Sequence, residues 1–537
     1  MNKMMILMTM CCWIVAGAVL ANPPAVKDPG IVPKPEKIRV GDGFYKIDGG
    51  TVIYLMSDNK EIKGVGKYLA GLFEPATGLK VPVKSPRSST SEGIILTLDK
   101  KNKSLGDEGY TLDCTGKGVK ITAARPAGLF YGVQTLRQLL PAQIESKKKV
   151  DGISWQVPCV SIEDKPRFKW RGYLIDPARH FRPKDELKRY IDLLALHKMN
   201  IMQLHLTDDQ GWRVEIKKYP KLIEVGSRVS NFGGQKGEGW FYSQAEIKEL
   251  VAYAAERYVT LVPEIEMPGH FGAALTSYPE LACGGKNPGG WSAPLCVSRE
   301  SALTFATNVL DEVIALFPAP YIHVGADEVP AGPWRNCASC KAAMEQLGKK
   351  PLAADIHVAR VQAGQGLAFH EDIGNLQGEF IRRIDEHITS HGRQMVGWDE
   401  ILDSGLKTGS KAVAMAWRGA GAVGGACGHG HEVIVTLHPQ YYLDNDTPLQ
   451  RTYDYEPVPK DLPADQVKYV LGVQGNMWGE QTQTLESVDR RTFPRLTALA
   501  ETGWTCREGR DFEDFSRRLA LLCKRLDLLE VNYRKTE

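Results

Sequence analysis

The sequence lacks the features that mark several common protein classes. Its 537 residues carry a formal net charge of only +3, so no excess of one sign points to nucleic acid or an anionic membrane as a partner. No low-complexity tract interrupts a composition that is 43% hydrophobic and 24% charged. Length and composition therefore predict a globular protein with more than one domain.

Long apolar runs are also scarce, and the one that stands out lies at the N-terminus. Lys3 precedes an apolar stretch at residues 4–20, and the small residue Ala21 ends it. This arrangement is typical of a cleaved secretory signal, with a membrane anchor of about 20 apolar residues as the alternative. We predict a signal peptide at residues 1–21, export to the periplasm or the medium, and no stable membrane insertion after cleavage.

Cysteine is infrequent and odd in number once the signal is removed. Eleven cysteines fall to nine when Cys11 and Cys12 leave, and export permits disulfides among the rest. The nearest pairs are Cys283 with Cys296 and Cys337 with Cys340. The second pair has the CxxC spacing of half a zinc site, but a structural zinc takes four ligands and no second CxxC occurs. We favour a disulfide or plain loop thiols there, with zinc as the weaker alternative.

Residues 22–165 combine short strands with one clear helix. Gly93–Leu98 and Gly118–Ala123 are apolar runs bounded by turn residues, as strands are. Residues 127–140 have the apolar spacing of a helix and stop before Pro141. The pattern predicts a small α+β domain with no chemistry of its own.

Residues 166–505 alternate buried-looking strands with amphipathic helices. The predicted strands lie near residues 172–176, 201–206, 260–263, 321–325, 393–397, 412–416, 432–436 and 470–474. The predicted helices include 184–197, 244–257, 301–317 and 378–391. Eight strands with crossover helices predict an α/β fold, a (β/α)8 TIM barrel, and residues 506–537 a C-terminal helical segment packing on it. A doubly wound sheet is the alternative, but no glycine-rich phosphate turn follows any strand.

The predicted strand ends carry many polar and aromatic side chains. Active residues of this barrel fold lie just past the carboxyl ends of its strands. Those positions hold Asp176, Arg179, His205, Asp208, Asp209, Glu264, Glu266, His270, His323, Asp327, Glu328, Trp398, Asp399, Glu400, Trp417, Arg418, Tyr442, Asp444, Trp478 and Glu480. Indole faces stack on pyranose rings, while carboxylates and Arg hydrogen-bond hydroxyls. The set favours a carbohydrate site.

Metal-dependent hydrolysis is an alternative interpretation of the same positions. The candidate ligands are His205, Asp208, Asp209, His270 and His323. No His-x-His pair or other compact spacing links them. A structural role, in which His and Asp at strand ends satisfy one another, also remains open for His205 and His323.

Four motifs, in chain order, resemble family 20 glycoside hydrolases, the β-N-acetylhexosaminidases. They are RGYLIDPARH at 171–180, HLTDDQGWR at 205–213, PEIEMPGH at 263–270 and HVGADEV at 323–329. The resemblance extends to the preceding small domain and so spans nearly the whole mature chain. Two departures are Glu266 and Ala326, where some relatives have Asp and Gly.

The resemblance implies an exo-acting, retaining enzyme that removes terminal β-linked GlcNAc or GalNAc without a cofactor, by substrate-assisted catalysis through an oxazolinium intermediate. By the same resemblance, Glu328 is the general acid/base, with a pKa expected to be raised towards the working pH. Asp327 orients the 2-acetamido group, and Tyr442 hydrogen-bonds its carbonyl. His270 and Asp208 support the acid/base. The expected sugar-binding residues are Arg179, Trp398, Trp417, Asp444, Trp478 and Glu480.

Three other functions remain as alternatives. A lacto-N-biosidase-like enzyme would release a disaccharide, a non-catalytic barrel would bind sugar without cleaving it, and a zinc-dependent hydrolase would lose activity with a chelator. Retention of both Asp327 and Glu328 argues against the non-catalytic barrel. Residues 331–369 look like an elaborated loop after the fourth strand, placed to shape the leaving-group side. The sequence does not predict an oligomeric state.

Overall fold

The computed structural model describes residues 28–57, 59–85, 92–229, 237–348, 371–403, 406 and 409–535. The predicted signal peptide and residues 349–369 of the predicted loop lie outside the described residues. Within the described residues, no helix is both long enough and apolar enough to cross a membrane.

The N-terminal unit is a seven-stranded mixed sheet with two helices. Its strands are β1 (Lys37–Lys46), β2 (Ile53–Leu55), β3 (Val83–Lys84), β4 (Gly93–Leu98), β5 (Tyr110–Thr115), β6 (Gly118–Ala123) and β7 (Gln156–Asp164), in the order β1-β7-β5-β6-β4-β2-β3. Its helices are α1 (Lys60–Thr77) and α2 (Pro126–Leu139). The Asn59 side chain caps α1, and Gly78 ends it in the left-handed conformation with φ of 73°. The predicted α+β unit is confirmed.

Eight parallel strands then close into a barrel, as predicted. They are β8 (Trp170–Ile175), β9 (Ile201–His205), β10 (Thr260–Glu264), β11 (Tyr321–His323), β12 (Gln394–Trp398), β13 (Val413–Ala416), β14 (Val433–Val435) and β15 (Val470–Met477), with β15 pairing to β8. Each overlaps one of the predicted strands, and the ends differ by no more than three residues. The open-sheet alternative is therefore wrong, because closure leaves no sheet edge.

Helices surround the barrel and extend past it. They are α3 (Lys184–Leu196), α4 (Lys221–Glu224), α5 (Gln244–Ala255), α6 (Gly272–Ser277), α7 (Glu300–Leu316), α8 (Ala331–Arg335), α9 (Ala338–Leu347), α10 (Glu371–Ser390), α11 (Glu400–Asp403), α12 (Ala420–Gly428), α13 (Leu449–Asp454), α14 (Leu485–Thr492), α15 (Arg495–Trp504) and α16 (Phe512–Leu528). The four predicted helices correspond to α3, α5, α7 and α10. Helix α10 begins at Glu371, earlier than the predicted residue 378.

Buried charges join the two units. Lys198, which follows α3, places its Nζ 2.9 Å from Asp164 Oδ2 at the end of β7, and both side chains are fully buried. Tyr110 Oη donates to the same oxygen at 2.7 Å, and Trp504 Nε1 donates to Asp164 Oδ1 at 2.8 Å. Every group in this cluster therefore has a partner across the boundary, which offsets the cost of burying charge.

Helix α16 contacts both units. Its Arg518 forms a buried pair with Glu501 of α15, at 2.7 Å, and donates to the Ile31 carbonyl. Its Arg525 contacts Glu145 of the N-terminal unit at 3.2 Å. The C-terminal helix thus packs on the barrel and on the N-terminal unit together.

Candidate active site

Asp327 and Glu328 lie where the backbone after β11 leaves the strand conformation. Gly325, Ala326 and Glu328 have φ of 66°, 75° and 48°, all in the left-handed region. Adjacent residues of a regular strand point to opposite faces, so this break in the pleat is what allows both carboxylates to face one site. His270 is the group that they both approach, and its Nε2 lies 3.8 Å from Asp327 Oδ2 and 3.4 Å from Glu328 Oε2.

The other side of the His270 ring faces a second pair of carboxylates. Its Nδ1 lies 3.3 Å from Asp208 Oδ1 and 3.5 Å from Asp209 Oδ2. Burial alone would lower the pKa of His270, but Asp208, Asp209 and Glu328 outweigh it and hold the pKa well above its ordinary value. His270 is therefore an imidazolium that bridges four carboxylates.

The two central carboxylates differ in acidity. Burial, with Glu328 and Glu264 nearby, raises the pKa of Asp327 to about 6 against the opposing effect of His270. Burial also acts to raise the pKa of Glu328, but hydrogen bonding to His270 and Trp291 outweighs it, so that pKa is lowered. This differs from the raised pKa expected for Glu328. In the ligand-free protein, the group that retains a proton more readily is Asp327.

Glu266 fills the space behind the break in β11. A Cβ on Gly325 would lie only 1.6 Å from Glu266 Oε2, so this position requires glycine for space as well as for its positive φ. Neither carboxylate oxygen of Glu266 has a hydrogen-bond partner among the described residues. Burial, together with Asp327 and Glu264, raises the pKa of Glu266 well above its ordinary value, which favours its protonated form.

Glu264, at the end of β10, connects several strand ends inside the barrel. Its Oε2 accepts from Gln203 Nε2 at 2.8 Å and lies 2.7 Å from His205 Nδ1. Its Oε1 accepts from Trp398 Nε1 at 3.1 Å and lies 3.0 Å from His323 Nδ1. Burial would raise the pKa of Glu264, but the two histidines hold it well below its ordinary value. The sequence placed Glu264 at a strand end without indicating that it organises its neighbours.

Arg179 is held in a fixed position by acidic and polar groups. Its guanidinium lies 3.1 Å from Asp176 Oδ2, 2.7 Å from Asp208 Oδ2 and 3.8 Å from Glu480 Oε1, and it donates to Gln210 Oε1 at 3.2 Å. Burial opposes the charge, but Asp208 and Asp176 keep the pKa of Arg179 well above its ordinary value. A buried guanidinium next to partly exposed Glu480 can offer donors and acceptors to a sugar hydroxyl.

Asp444 follows β14 and belongs to the same end of the site. Its Oδ1 is buried without a hydrogen-bond partner among the described residues. Burial, with Glu480 nearby, raises its pKa to about 7. Such a carboxyl gains a partner when a hydroxylated ligand binds.

Four aromatic rings form the wall of the pocket. Trp398 and Trp478 have ring centroids 5.6 Å apart, and Tyr442 lies 6.3 Å from both Trp417 and Trp478. Trp417 Nε1 donates to Glu400 Oε2 at 3.1 Å, which fixes its ring. Burial, then the nearby acids Asp444, Asp327, Glu328 and Glu400, raise the pKa of Tyr442 well above its ordinary value, so its hydroxyl keeps its proton and can donate.

The structure brings all the predicted site residues to one end of the barrel. Through the contacts described above, they form a continuous lining from the carboxylate pair to Arg179 and the aromatic wall. Trp291 was missed by the sequence analysis: it lies on the loop after α6, is 51% exposed, and donates from Nε1 to Glu328 Oε2 at 2.9 Å. No periodicity marks a loop residue of this kind.

The groups proposed as metal ligands do come close in space, although their sequence spacing gave no sign of it. Asp208, Asp209 and His270 form one such set, whereas His205 groups with Glu264 and Glu266, and His323 joins no set among the described residues. His270 also forms a set with Asp327 and Glu328, which were not predicted as ligands. Each set already contains a positively charged imidazole, and Asp208 also pairs with Arg179. Protein cations therefore balance these carboxylates.

Of the two forms predicted for Cys337 and Cys340, a disulfide or plain loop thiols, the disulfide is wrong. All nine described cysteines are free thiols, so neither Cys283–Cys296 nor Cys337–Cys340 forms a disulfide. The CxxC pair Cys337 and Cys340 has two further cysteines, Cys283 and Cys296, beside it in the fold. All four sulfur atoms lie within 4.8 Å of one another, as a four-ligand metal site requires. The sequence did not indicate this set, because Cys283 and Cys296 do not have CxxC spacing and only the fold brings them to the other pair.

Comparison with known proteins agrees with this architecture. Residues 168–507 match the family model "Glycosyl hydrolase family 20, catalytic domain", and residues 28–165 match "Glycosyl hydrolase family 20, domain 2". A beta-hexosaminidase of Porphyromonas gingivalis is 37% identical over 94% of this chain, which spans 64% of that relative's length. A beta-N-acetylhexosaminidase of Cellulomonas fimi is 30% identical over 92% of this chain and 93% of its own.

Solved structures give the same result. The GH20 beta-N-acetylhexosaminidase from Streptomyces coelicolor A3(2) is 34% identical, with a TM-score of 0.79 over 95% of this chain and 98% of its own. A mutant Streptomyces plicatus beta-hexosaminidase in complex with product (GlcNAc) is 33% identical, with a TM-score of 0.80 over 95% of this chain and 97% of its own. From its barrel, its leading sheet and both matched regions, the chain belongs to glycosyl hydrolase family 20.

Proposed function

We propose that the protein is an exo-acting, retaining β-N-acetylhexosaminidase that removes terminal β-linked GlcNAc or GalNAc by substrate-assisted catalysis. The observation that carries the proposal is the convergence of Asp327 and Glu328 on one imidazole, with the aromatic wall beside them. Retaining enzymes with a protein nucleophile place two carboxyl groups on opposite sides of the scissile bond. Adjacent residues that share one histidine suit an acid/base and an orienting group instead.

The proposed reaction has two steps. Glu328 donates its proton to the glycosidic oxygen while the acetamido carbonyl oxygen attacks the anomeric carbon, so the aglycone leaves as an alcohol and an oxazolinium forms. Glu328 then accepts a proton from water, which attacks the anomeric carbon and opens the oxazolinium ring. The anomeric configuration is retained overall. Asp327 accepts a hydrogen bond from the acetamido N–H, and Tyr442 donates one to the acetamido carbonyl.

Binding of substrate would redistribute the proton between the carboxylates. An acetamido N–H that donates to Asp327 favours its ionised form and lowers its pKa from about 6. An aglycone that displaces the Trp291 indole removes a hydrogen bond that now lowers the pKa of Glu328. Both changes favour a protonated Glu328 next to an ionised Asp327, the state that the first step needs.

The polar end of the pocket supports an exo mode of action. We expect Arg179 to bind hydroxyls O3 and O4, and Asp444 with Glu480 to hold O4 and O6. The partnerless Oδ1 of Asp444 and the closeness of Arg179 to Glu480 support this. A sugar whose O4 or O6 carried a further residue would leave these buried groups unpaired, which costs about 1–3 kcal/mol for each group. The terminal sugar is therefore the one that fits.

The test is hydrolysis of a chromogenic β-GlcNAc glycoside. We expect Glu328→Gln to lower kcat/KM by about 10²–10⁴-fold, the range of general acid–base contributions. Asp327→Asn should also lower it strongly, because the acetamido group loses its orienting carboxylate. Glu300→Gln, an exposed carboxylate on α7 paired with Arg383, serves as the matched control and should keep full activity. Full activity in Glu328→Gln would overturn the assignment.

Three further substrates and conditions separate the alternatives. A 2-trifluoroacetamido substrate should react much more slowly, since its carbonyl is a poorer nucleophile, and equal rates would exclude substrate assistance. A β-glucoside, which lacks the acetamido group, should be a very poor substrate. Release of an intact disaccharide would favour a lacto-N-biosidase-like enzyme, and binding without turnover a non-catalytic barrel. Loss of activity after brief EDTA treatment that leaves hydrogen exchange in residues 283–296 unchanged would favour a zinc-dependent hydrolase.

We also propose export through the signal peptide at residues 1–21, on the basis of its charged start, apolar run and small final residue. Fractionation of cells that express the full chain, followed by N-terminal sequencing, tests this. Mature protein that begins at Asn22 outside the cytoplasm is expected. Full-length chain retained in the cytoplasm would contradict export.

A further inference from the structure

Four cysteines meet on the outer side of the loops that follow β10 and β11. Cys283 and Cys296 come from the loop after α6, whereas Cys337 precedes α9 and Cys340 lies in its first turn. The Sγ atoms of Cys296 and Cys340 are 3.7 Å apart, those of Cys283 and Cys340 3.8 Å, and those of Cys296 and Cys337 3.9 Å. These contacts link all four sulfurs into one cluster.

The separations match a single tetrahedral metal ion. Sulfur atoms about 2.3 Å from a central zinc lie about 3.8 Å apart along each edge of the tetrahedron. A disulfide needs its sulfurs about 2.05 Å apart, so neither pairing of the four describes what is seen. Three of the six sulfur–sulfur distances are 3.7–3.9 Å and all six are within 4.8 Å, although the cysteines come from segments as much as 57 residues apart, so chance packing of thiols is a poor explanation.

The residues around the four cysteines would protect and stabilise metal-bound thiolates. Cys296 and Cys340 are fully buried, and the cluster packs against Trp334 and two side chains of α10, so water has little access. Ser298 Oγ lies 3.2 Å from Cys340 Sγ, and Ser339 Oγ lies 3.1 Å from Cys337 Sγ. Hydroxyl donors around thiolate ligands stabilise their charge and orient them.

We propose that Cys283, Cys296, Cys337 and Cys340 bind one structural zinc ion. The thiols lose their protons to solvent on binding, and the ion stays away from the reacting sugar. Zinc suits a closed site of four thiolates, in which a CxxC pair at a helix start supplies two ligands. This inference is independent of the proposed hydrolysis.

The ion would fix the loop that carries Trp291. Cys283 and Cys296 flank Trp291 in the sequence. The backbone N–H of the next residue, Ser292, donates to Asp209 Oδ2 at 2.7 Å. Leu295 is held from two sides, because its carbonyl accepts from Trp334 Nε1 at 2.8 Å and its N–H donates to Pro268 at 2.8 Å. With its cysteines tied to α9, the loop holds the indole against Glu328. The zinc is thus a positioning element for one wall of the active site.

Metal content of the full chain, purified without chelator or metal-affinity resin, tests the proposal directly. We expect close to one zinc per chain by mass spectrometry. Mercurial titration of the four thiols should release that zinc in parallel. Substoichiometric zinc, iron in its place, or an intact mass that shows disulfides among these cysteines would each overturn the assignment.

A double variant locates the ion. Cys337→Ser/Cys340→Ser should lose the zinc, while Cys427→Ser, a buried cysteine of α12 outside the cluster, should retain it. Zinc retained in the double variant would overturn the proposal. If the double variant fails to fold, cobalt exchange into the wild-type chain keeps the test open: bands of tetrahedral Co²⁺ with thiolate charge transfer are expected, and an octahedral spectrum would contradict the site.

Hydrogen exchange tests the link to the active site. Release of zinc from the wild-type chain should raise exchange in residues 283–296, because the loop loses its attachment to α9. Residues 470–477, which form β15 three strands away from β10 in the barrel, are the internal control and should not change. Unchanged exchange in both regions would overturn the positioning role. None of these measurements depends on hydrolysis, so failure of this proposal and failure of the proposed function are distinguishable.

Discussion

His270 shows how single residues set the protonation of this site. Its ring lies between Asp208 and Asp209 on one side and Asp327 and Glu328 on the other. The imidazolium supplies the charge that lets several carboxylates share a buried space. A change at any hydrogen bond to these carboxylates should therefore appear in the pH dependence of the reaction.

Trp291→Phe isolates one such hydrogen bond. The variant keeps a ring but loses the N–H that donates to Glu328, and this donor helps to lower the pKa of Glu328. Its loss raises that pKa, so Glu328 keeps its proton to higher pH. If Glu328 is the acid, the alkaline limb of kcat/KM against pH should move to higher pH.

Trp240→Phe provides the matched control, because Trp240 is equally exposed, at 52%, and does not contact Glu328. Its alkaline limb should coincide with that of the wild type. A limb that stays in place in Trp291→Phe, or moves to lower pH, would contradict the role given to the indole.

Gly325→Ala tests the tight fit behind the carboxylate pair. The added Cβ would lie 1.6 Å from Glu266 Oε2, and an L-residue at φ of 66° is strained as well. We expect a loss of about 2–5 kcal/mol in the free energy of unfolding, from about 1–2 for the left-handed conformation and about 1–3 for overpacking. Urea unfolding measures it.

Two further variants separate the cost of the left-handed conformation from the cost of overpacking. Gly392→Ala, at the left-handed position that ends α10, has a similar φ of 70° but open space around its Cβ, so it should show the conformational part alone. In a Glu266→Ala background, Gly325→Ala should likewise cost only that part. Equal losses for Gly325→Ala in both backgrounds would show that Glu266 is not the obstacle.

At the scale of elements, the strands and helices of the barrel could be predicted because their signals are local. Buried parallel strands read as short apolar runs, and amphipathic helices have apolar residues at helical spacing. Helix α5 is an example: Ser243 accepts from the Glu246 backbone at 3.2 Å, and the Glu246 side chain accepts from the Ser243 backbone at 3.0 Å. This reciprocal capping fixes where the helix begins.

Ser243→Ala should therefore destabilise the protein by about 1 kcal/mol, the usual cost of losing such a cap. Thermal or urea unfolding measures the change, and kcat should stay as in the wild type because α5 lies outside the site. Ser301→Ala, an exposed serine in the first turn of α7 rather than at its cap, is the matched control. Equal stability of the two variants would argue that the cap contributes nothing.

At the scale of the whole molecule, the buried pair of Lys198 and Asp164 joins the leading sheet to the barrel. Asp164→Asn would leave the Lys198 ammonium buried without its counter-charge. We expect a loss of about 3–5 kcal/mol in the free energy of unfolding, as measured by urea unfolding.

Replacement of both charges, Asp164→Asn with Lys198→Met, should recover part of this loss, since no unpaired charge remains. Glu163→Gln, next to Asp164 but in an exposed pair with Lys37, should change stability little. A wild-type stability in Asp164→Asn would show that the pair does not hold the two units together.

The candidate site could be predicted only in part, because some of its residues are far from the strand ends in sequence. The rule that places active residues at strand ends led to Asp327, Glu328 and Arg179, because parallel strands bring their ends together whatever lies between them. Trp291 and the four-cysteine cluster depend on loops that return from remote positions, and no local pattern encodes such returns. The lowered pKa of Glu328 arises from those same contacts, so sequence alone pointed in the opposite direction.

The charges at the boundary between the two units also restrict how the family architecture can be recombined. Two buried cations of the barrel pair with carboxylates of the N-terminal unit: Lys198 with Asp164 at 2.9 Å, and Arg171 with Glu108 at 2.8 Å. A barrel transplanted behind a different sheet would bury two cations with no counter-charge unless the new sheet offered carboxylates at both places. An N-terminal unit that replaces the natural one must therefore provide carboxylates at the positions of Asp164 and Glu108.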